Sequence, residues 1–128
     1  MLGYVTIGAN DAETAHRFYD AVLGTLGWKA HMTFGEWRGY SLDGKGEGQS
    51  VWVCKPFDGA PATVGNGMMV AFTARDHAQV DAFHAAAMAN GGADEGEPGP
   101  RPDYGPHWYA AYLRDPTGNK LAIVFNQP

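Results

Sequence analysis

The side chains able to do chemistry in this sequence are few: five histidines, one cysteine and fourteen acids. Cys54 closes the run Val51-Trp52-Val53-Cys54, whose β-branched and aromatic residues read as a strand. A lone thiol there serves as a small buried hydrophobe rather than a nucleophile. With no second cysteine there is neither an intrachain disulfide nor a Cys-based zinc cluster. His16, His77 and His84 fall on helix faces turned away from any site on a sheet and read as packing or solvated residues. His31 sits near a strand edge with no acidic or His neighbour at ligand spacing and reads as incidental. His107 differs, because it lies in Arg101-Pro102-Asp103-Tyr104-Gly105-Pro106-His107-Trp108, a loop running into a strand. Loops deliver functional groups to scaffolded sites, and a neutral imidazole can donate, accept, or move a proton near neutral pH. His107 and Tyr112 are the candidate acid/base groups. A surface or turn-capping role is the competing reading for His107.

These residues must be placed by a small set of elements. Leu2 to Ile7 is β-prone and alternating, with Val5 and Ile7 on one face and Tyr4 and Thr6 on the other. Asn10 or Asp11 then caps a helix with apolar positions Ala15, Phe18, Tyr19, Val22 and Leu23, ended by Gly24 and Gly27. The same order recurs: strand-like Met68 to Phe72, then Asp76 with Gln79 as a capping-box-like start to a helix carrying Val80, Phe83, Ala87 and Met88. Tyr4 matches Met69, Val5 Val70, Ala15 Val80, Phe18 Phe83, Leu23 Met88 and Gly27 Gly92, all at one constant offset, which suggests a duplication. Strands are expected at Trp28 to Phe34, Trp37 to Leu42 and Gln49 to Cys54. In the second half the Gly-, Pro- and acid-rich Gly91 to Pro106 reads as mostly loop with at most a short strand. His107 to Arg114 and Lys120 to Asn126 flank the turn Asp115-Pro116-Thr117-Gly118-Asn119 and close a hairpin. If Leu113 pairs with Leu121, then Tyr112 lies opposite Ala122, with Ala110 and Trp108 on the same face.

The opening Leu2-Gly3-Tyr4-Val5-Thr6-Ile7, the helix end Phe18-Tyr19-Asp20-Ala21-Val22-Leu23-Gly24 and the closing Arg114-Asp115-Pro116-Thr117-Gly118-Asn119-Lys120-Leu121 together resemble the vicinal-oxygen-chelate superfamily. That superfamily spans glyoxalase I, bleomycin-resistance proteins, fosfomycin-modifying enzymes and extradiol dioxygenases. The resemblance implies an α+β fold of two β-α-β-β-β modules forming a curved mixed-sheet cup, commonly completed in a homodimer. The halves would be module one at about 1–55, a joint at about 56–66 and module two at about 67–128. It also implies, for metal-using members, a His on the first strand, a His on the strand opening the second module and a Glu on the last strand. Carried over, those positions are Tyr4, Met69 and Ala122, and none matches. A neutral phenol is a poor ligand, a thioether suits soft ions and alanine offers no donor, so neither a metal nor another cofactor is expected.

The expected pocket is lined by Tyr4, Thr6, Met69, Ala71, Trp108, Tyr112 and Ala122, with Trp37, Trp52, Tyr104 and His107 joining it and Arg101 nearby. The facing of Trp37 and Trp52 depends on register, since a slip of one residue reverses it. Such an aromatic and apolar lining favours a flat or hydrophobic small molecule, held by stacking and a few hydrogen bonds. Cationic aromatics also fit, by cation–π attraction. The reading is therefore a metal-free small-molecule binder of the bleomycin-resistance type. The alternatives are a glyoxalase-like lyase or dioxygenase with an altered metal site, and a structural dimer whose pocket is filled by its own side chains. Composition narrows the partners. A net charge of -5 with nine scattered basic residues disfavours nucleic acid. The absence of a long apolar run disfavours a membrane, and a cytoplasmic, homodimeric protein is expected.

Overall fold

A computed structural model describes residues 2–128; Met1, where the expected first module begins, lies outside the described residues. Strand β1 (Tyr4–Gly8) leads to helix α1 (Ala12–Gly24), then β2 (Trp28–Phe34), β3 (Trp37–Leu42) and β4 (Ser50–Cys54). The pattern repeats as β5 (Val70–Thr73), α2 (His77–Ala89), β6 (Ala93–Pro100), β7 (Trp108–Arg114) and β8 (Lys120–Asn126). Each half makes its own four-stranded mixed sheet, in the orders β1-β4-β3-β2 and β5-β8-β7-β6. In both, the first strand runs parallel to the last and the other pairings are antiparallel. This is the expected two-module α+β architecture.

The helices start and pack as their sequences dictate. The Asp11 side chain accepts from the Thr14 backbone N–H, and the Asp76 side chain accepts from that of Gln79. Each satisfies one of the orphan donors of a first turn. Gln79 reaches back past the cap residue to accept from the Arg75 N–H. Helix α1 buries Ala15, Phe18, Tyr19, Val22 and Leu23 and packs against α2 as well as its own sheet. A single core joins the halves, running from Ile7, Phe18 and Val53 to Phe72, Phe83 and Leu121. The rings of Trp28 and Phe72 meet edge-on across the module boundary.

Several expectations need correcting. The stretch from Gly91 to Pro106 carries the eight-residue strand β6, with irregularities between Asp94 and Gly96 and between Gly96 and Gly99. At a sheet edge the missing N–H of Pro98 breaks no ladder, and bulges accommodate glycines. Strand β5 begins at Val70, leaving Met68 and Met69 in the approach to it, while β1 begins at Tyr4 rather than Leu2, β4 at Ser50 rather than Gln49 and β7 at Trp108 rather than His107. The expected pairing of Leu113 with Leu121 and Tyr112 with Ala122 is present.

Candidate functional site

With the helices covering one face of each sheet, the other face is open. In the first sheet it carries Tyr4 and Thr6 from β1, Ser50, Trp52 and Cys54 from β4, and Trp37, Gly39 and Ser41 from β3. Across its middle runs one row: Thr6 opposite Trp52, Trp52 opposite Gly39, Gly39 opposite Met32. An irregularity between Ala30 and Met32 puts an extra residue, His31, into β2 at this row.

Gly39 is what allows the row to close. A Cβ there would lie 2.8 Å from Cε2 and Cζ2 of Trp52 and 2.9 Å from Cε1 of His31. The indole thus lies across the glycine and meets the imidazole edge-on, at 5.4 Å between centroids and 86° between planes. On the other side Phe34 and Trp37, paired across the β2–β3 turn, stack at 8° and 6.2 Å. Trp52 stands 6.0 Å from Phe34 and 6.5 Å from Trp37. Beside this aromatic surface opens a cavity of about 690 Å³ lined by Phe34, Gly35, Glu36, Trp37, Lys55, Pro56, Phe57 and Gly59. Trp37, Pro56 and Phe57 continue into a second, of about 430 Å³, that reaches Thr6 and Cys54. Phe57, at 98% exposure, projects from the segment after β4 with its ring unpacked.

The second sheet's open face is more nearly closed by its own side chains. Ala110 and Ala122 have no exposed surface. The Arg101 guanidinium lies 5.5 Å from the Tyr112 ring centroid and donates to the carbonyls of Glu97, Gly99 and Pro100. Lys120 approaches the same ring, and the Trp108 indole N–H donates to the Tyr112 hydroxyl. Tyr104 meets Trp108 edge-on. His107 is exposed and shares a cavity of about 320 Å³ with His77, Trp108, Tyr109 and Phe125.

The residues predicted to line one pocket therefore fall into groups. Thr6, Trp37 and Trp52 belong to the first sheet's aromatic surface, and the facing of the two tryptophans, open in the sequence, is settled by the register. Tyr4 and Ala71 share a cavity of about 210 Å³ between β1 and β5. Trp108, Tyr112 and Ala122 belong to the second sheet and Tyr104 and His107 to the connection between β6 and β7, with Met69 just ahead of β5. His16 bonds the Val53 carbonyl, His84 bonds Asp94 and His77 stacks on Tyr109, as packing histidines do. His31 departs from its incidental reading, since it touches both Ser41 and Trp52. Phe34, Phe57 and Gly39 also escaped the sequence reading. The spacing Phe34-Gly-Glu-Trp37 was a usable signal, because a two-residue turn places its flanking aromatics opposite each other.

The donor set does not suit a metal. Tyr4 is a solvent-exposed phenol, Met69 a thioether outside the strand and Ala122 a buried methyl. Among the described residues no three His, Cys, Asp or Glu side chains are grouped to hold an ion. Burial pushes the Cys54 thiol's pKa up, away from the thiolate a nucleophile or ligand needs.

Comparison with known proteins adds lineage to this geometry. The family model described as Glyoxalase/Bleomycin resistance protein/Dioxygenase superfamily matches residues 1–123. A glyoxalase/bleomycin resistance protein from Albidiferax ferrireducens T118 is 40% identical, with 100% of this chain and 99% of that one covered and a TM-score of 0.86. A glyoxalase-related enzyme from Fulvimarina pelagi is 22% identical over 98% of this chain and 88% of its own, at a TM-score of 0.75. A lactoylglutathione lyase from Agrobacterium tumefaciens is 20% identical over 98% and 92%, at 0.68. These last two likenesses are of fold alone. No curated protein matches.

Proposed function

Because the chain belongs to the glyoxalase/bleomycin resistance protein/dioxygenase superfamily, we propose that it is a metal-free member that binds a flat, hydrophobic or aromatic small molecule and acts by sequestering it. The observation that carries this reading is the cluster of Phe34, Trp37 and Trp52 on the open face of the first sheet, flanked by a cavity of about 690 Å³. Aromatic rings offset or tilted at such spacings leave π-faces that a planar ligand can cover, each stacking contact contributing about 1 kcal/mol beyond the area it buries. A cationic aromatic is served equally well, because indole faces attract positive charge.

We propose further that the protein works as a homodimer. Leu2, Tyr4, Met68 and Met69 are all exposed along the unpaired flank of β1 and the approach to β5, an apolar strip that a second copy would cover. Sedimentation at micromolar concentration reads this out, and a monomer there ends it.

Titrating naphthalene and acridine-type compounds while following tryptophan emission tests the binding reading. Saturable quenching that is lost in Trp52→Ala supports it. A flat emission across the series, or quenching in Trp52→Ala and Trp37→Ala as strong as in the wild type, refutes it.

A further inference from the structure

We infer that His31 is the polar recognition group of the aromatic surface, presenting an Nε2–H donor to a hydrogen-bond acceptor on the rim of a ligand stacked over Trp52. The inference rests on the binding reading above and assigns the ligand a chemical class: a planar aromatic bearing a carbonyl or similar neutral acceptor.

The tautomer follows from Ser41. Its side chain has no exposed surface, and its Oγ accepts from the Gly46 backbone N–H at 2.7 Å. The hydroxyl's own proton then has one partner in reach, Nδ1 of His31 at 3.0 Å. Were Nδ1 the donor instead, the Ser41 O–H would be buried with nothing to accept it, an arrangement that native interiors avoid. In the neutral ring Nδ1 accordingly accepts and Nε2 carries the proton.

The direction of that proton follows from the packing around the ring. Cδ2 faces Gly46, where an added Cβ would come within 3.2 Å, and Cε1 faces the space above Gly39 beside Trp52. Nε2 lies between those two carbons, on the side opposite the Ser41 bond, and meets no protein acceptor. Every fully buried side-chain polar atom among the described residues has a partner, so the unpartnered Nε2 opens to the outside. Left-handed backbone at Asp43, Gly44 and Gly46 brings the Gly46 N–H back onto Ser41 and so holds the device in place. A half-buried donor, fixed in tautomer and set at the edge of an indole, is how a mostly apolar site gains orientation and selectivity.

The test uses two neutral, nearly isosteric probes, naphthyl methyl ketone and isopropylnaphthalene. Binding is read from the indole N–H signals of Trp37 and Trp52 in nitrogen-resolved NMR. The ketone is expected to bind about fivefold to tenfold more tightly, the worth of one hydrogen bond. In His31→Phe, which keeps a ring against Trp52, that preference vanishes; in His31→Gln it is retained. A wild-type protein without the preference, or a His31→Phe variant that keeps it, overturns the role of His31 and leaves the aromatic site standing. If isopropylnaphthalene also leaves both indoles unmoved, the binding reading itself falls and this inference with it. Independently of any ligand, the nitrogen shifts of His31 in the wild-type protein must show the proton on Nε2, and a proton on Nδ1 refutes the assignment.

Discussion

At the scale of single residues, the closing turn of the family signature is a pin rather than a ligand site. Asp115 is almost fully buried. Its Oδ1 accepts from the backbone N–H groups of Thr117, Gly118 and Asn119, and its Oδ2 accepts from the Tyr19 hydroxyl and the Asn119 amide. Asn119 in turn donates to the Gly8 carbonyl, so the turn of the second module is bonded to a helix and a strand of the first. Asp115→Ala leaves several buried donors without acceptors and should cost about 3 kcal/mol or more of stability, measured by urea unfolding. Gly39 makes the opposite case, where the absence of a side chain does the positioning. Gly39→Ala drives a methyl into Trp52 and His31, both of them side chains that can swing away. The variant is expected to fold with an altered tryptophan emission and to lose aromatic binding at least tenfold, by about 1.4 kcal/mol.

Elements set those residues in place through their ends and irregularities. Asp76 caps α2 and is answered by Gln79, whose amide also donates to the Thr25 carbonyl at the end of α1. Asp76→Ala should therefore cost about 1 kcal/mol, the usual worth of an N-cap, and Gln79→Ala more, because it loses contacts to both helices. The irregularity in β2 adds His31 to the open face of an otherwise regular strand, and removing one residue from Ala30 to Met32 would return β2 to simple alternation. Strand β6 shows the same device used twice, and it explains how a segment so rich in glycine, proline and acid still pairs along β7.

For the whole molecule, two sheets and two helices share one core, and buried tyrosines tie it together. Burial, and then the neighbouring Asp115, push the Tyr19 hydroxyl's pKa well above its ordinary value; burial and Asp20 do the same to Tyr40. A raised folded-state pKa means that the unfolded chain loses these protons first. The stabilisation is thus complete below about pH 10, the ordinary tyrosine range, and is lost as pH rises beyond it. Unfolding is expected to become easier above that pH, and Tyr19→Phe, which has no proton to lose there, should show a shallower alkaline decline in a denaturant series. A decline as steep as the wild type's would refute the assignment to Tyr19. No helix among the described residues is long and apolar enough to cross a membrane.

Periodicity, with caps and turn residues marking the ends, placed both helices and seven of the eight strands to within two residues at either end, and the Asp115–Asn119 turn suggested Leu113 and Leu121 as partners, because burial of one face imposes a repeat that a linear sequence displays. The matched landmarks in the two halves, from Tyr4 and Met69 to Gly27 and Gly92, were legible for the same reason; the mismatch of Tyr4, Met69 and Ala122 with a metal's needs was legible through the family resemblance. Only the tertiary structure decided the rest. Which way Trp37 and Trp52 face depends on register, and whether His31 joins them depends on one extra residue in a strand; a sequence records neither, since both are set by hydrogen bonds to distant strands. The division of the expected lining between an open aromatic face and a face closed by Arg101 and Tyr112 likewise depends on where side chains far apart in the chain come to rest.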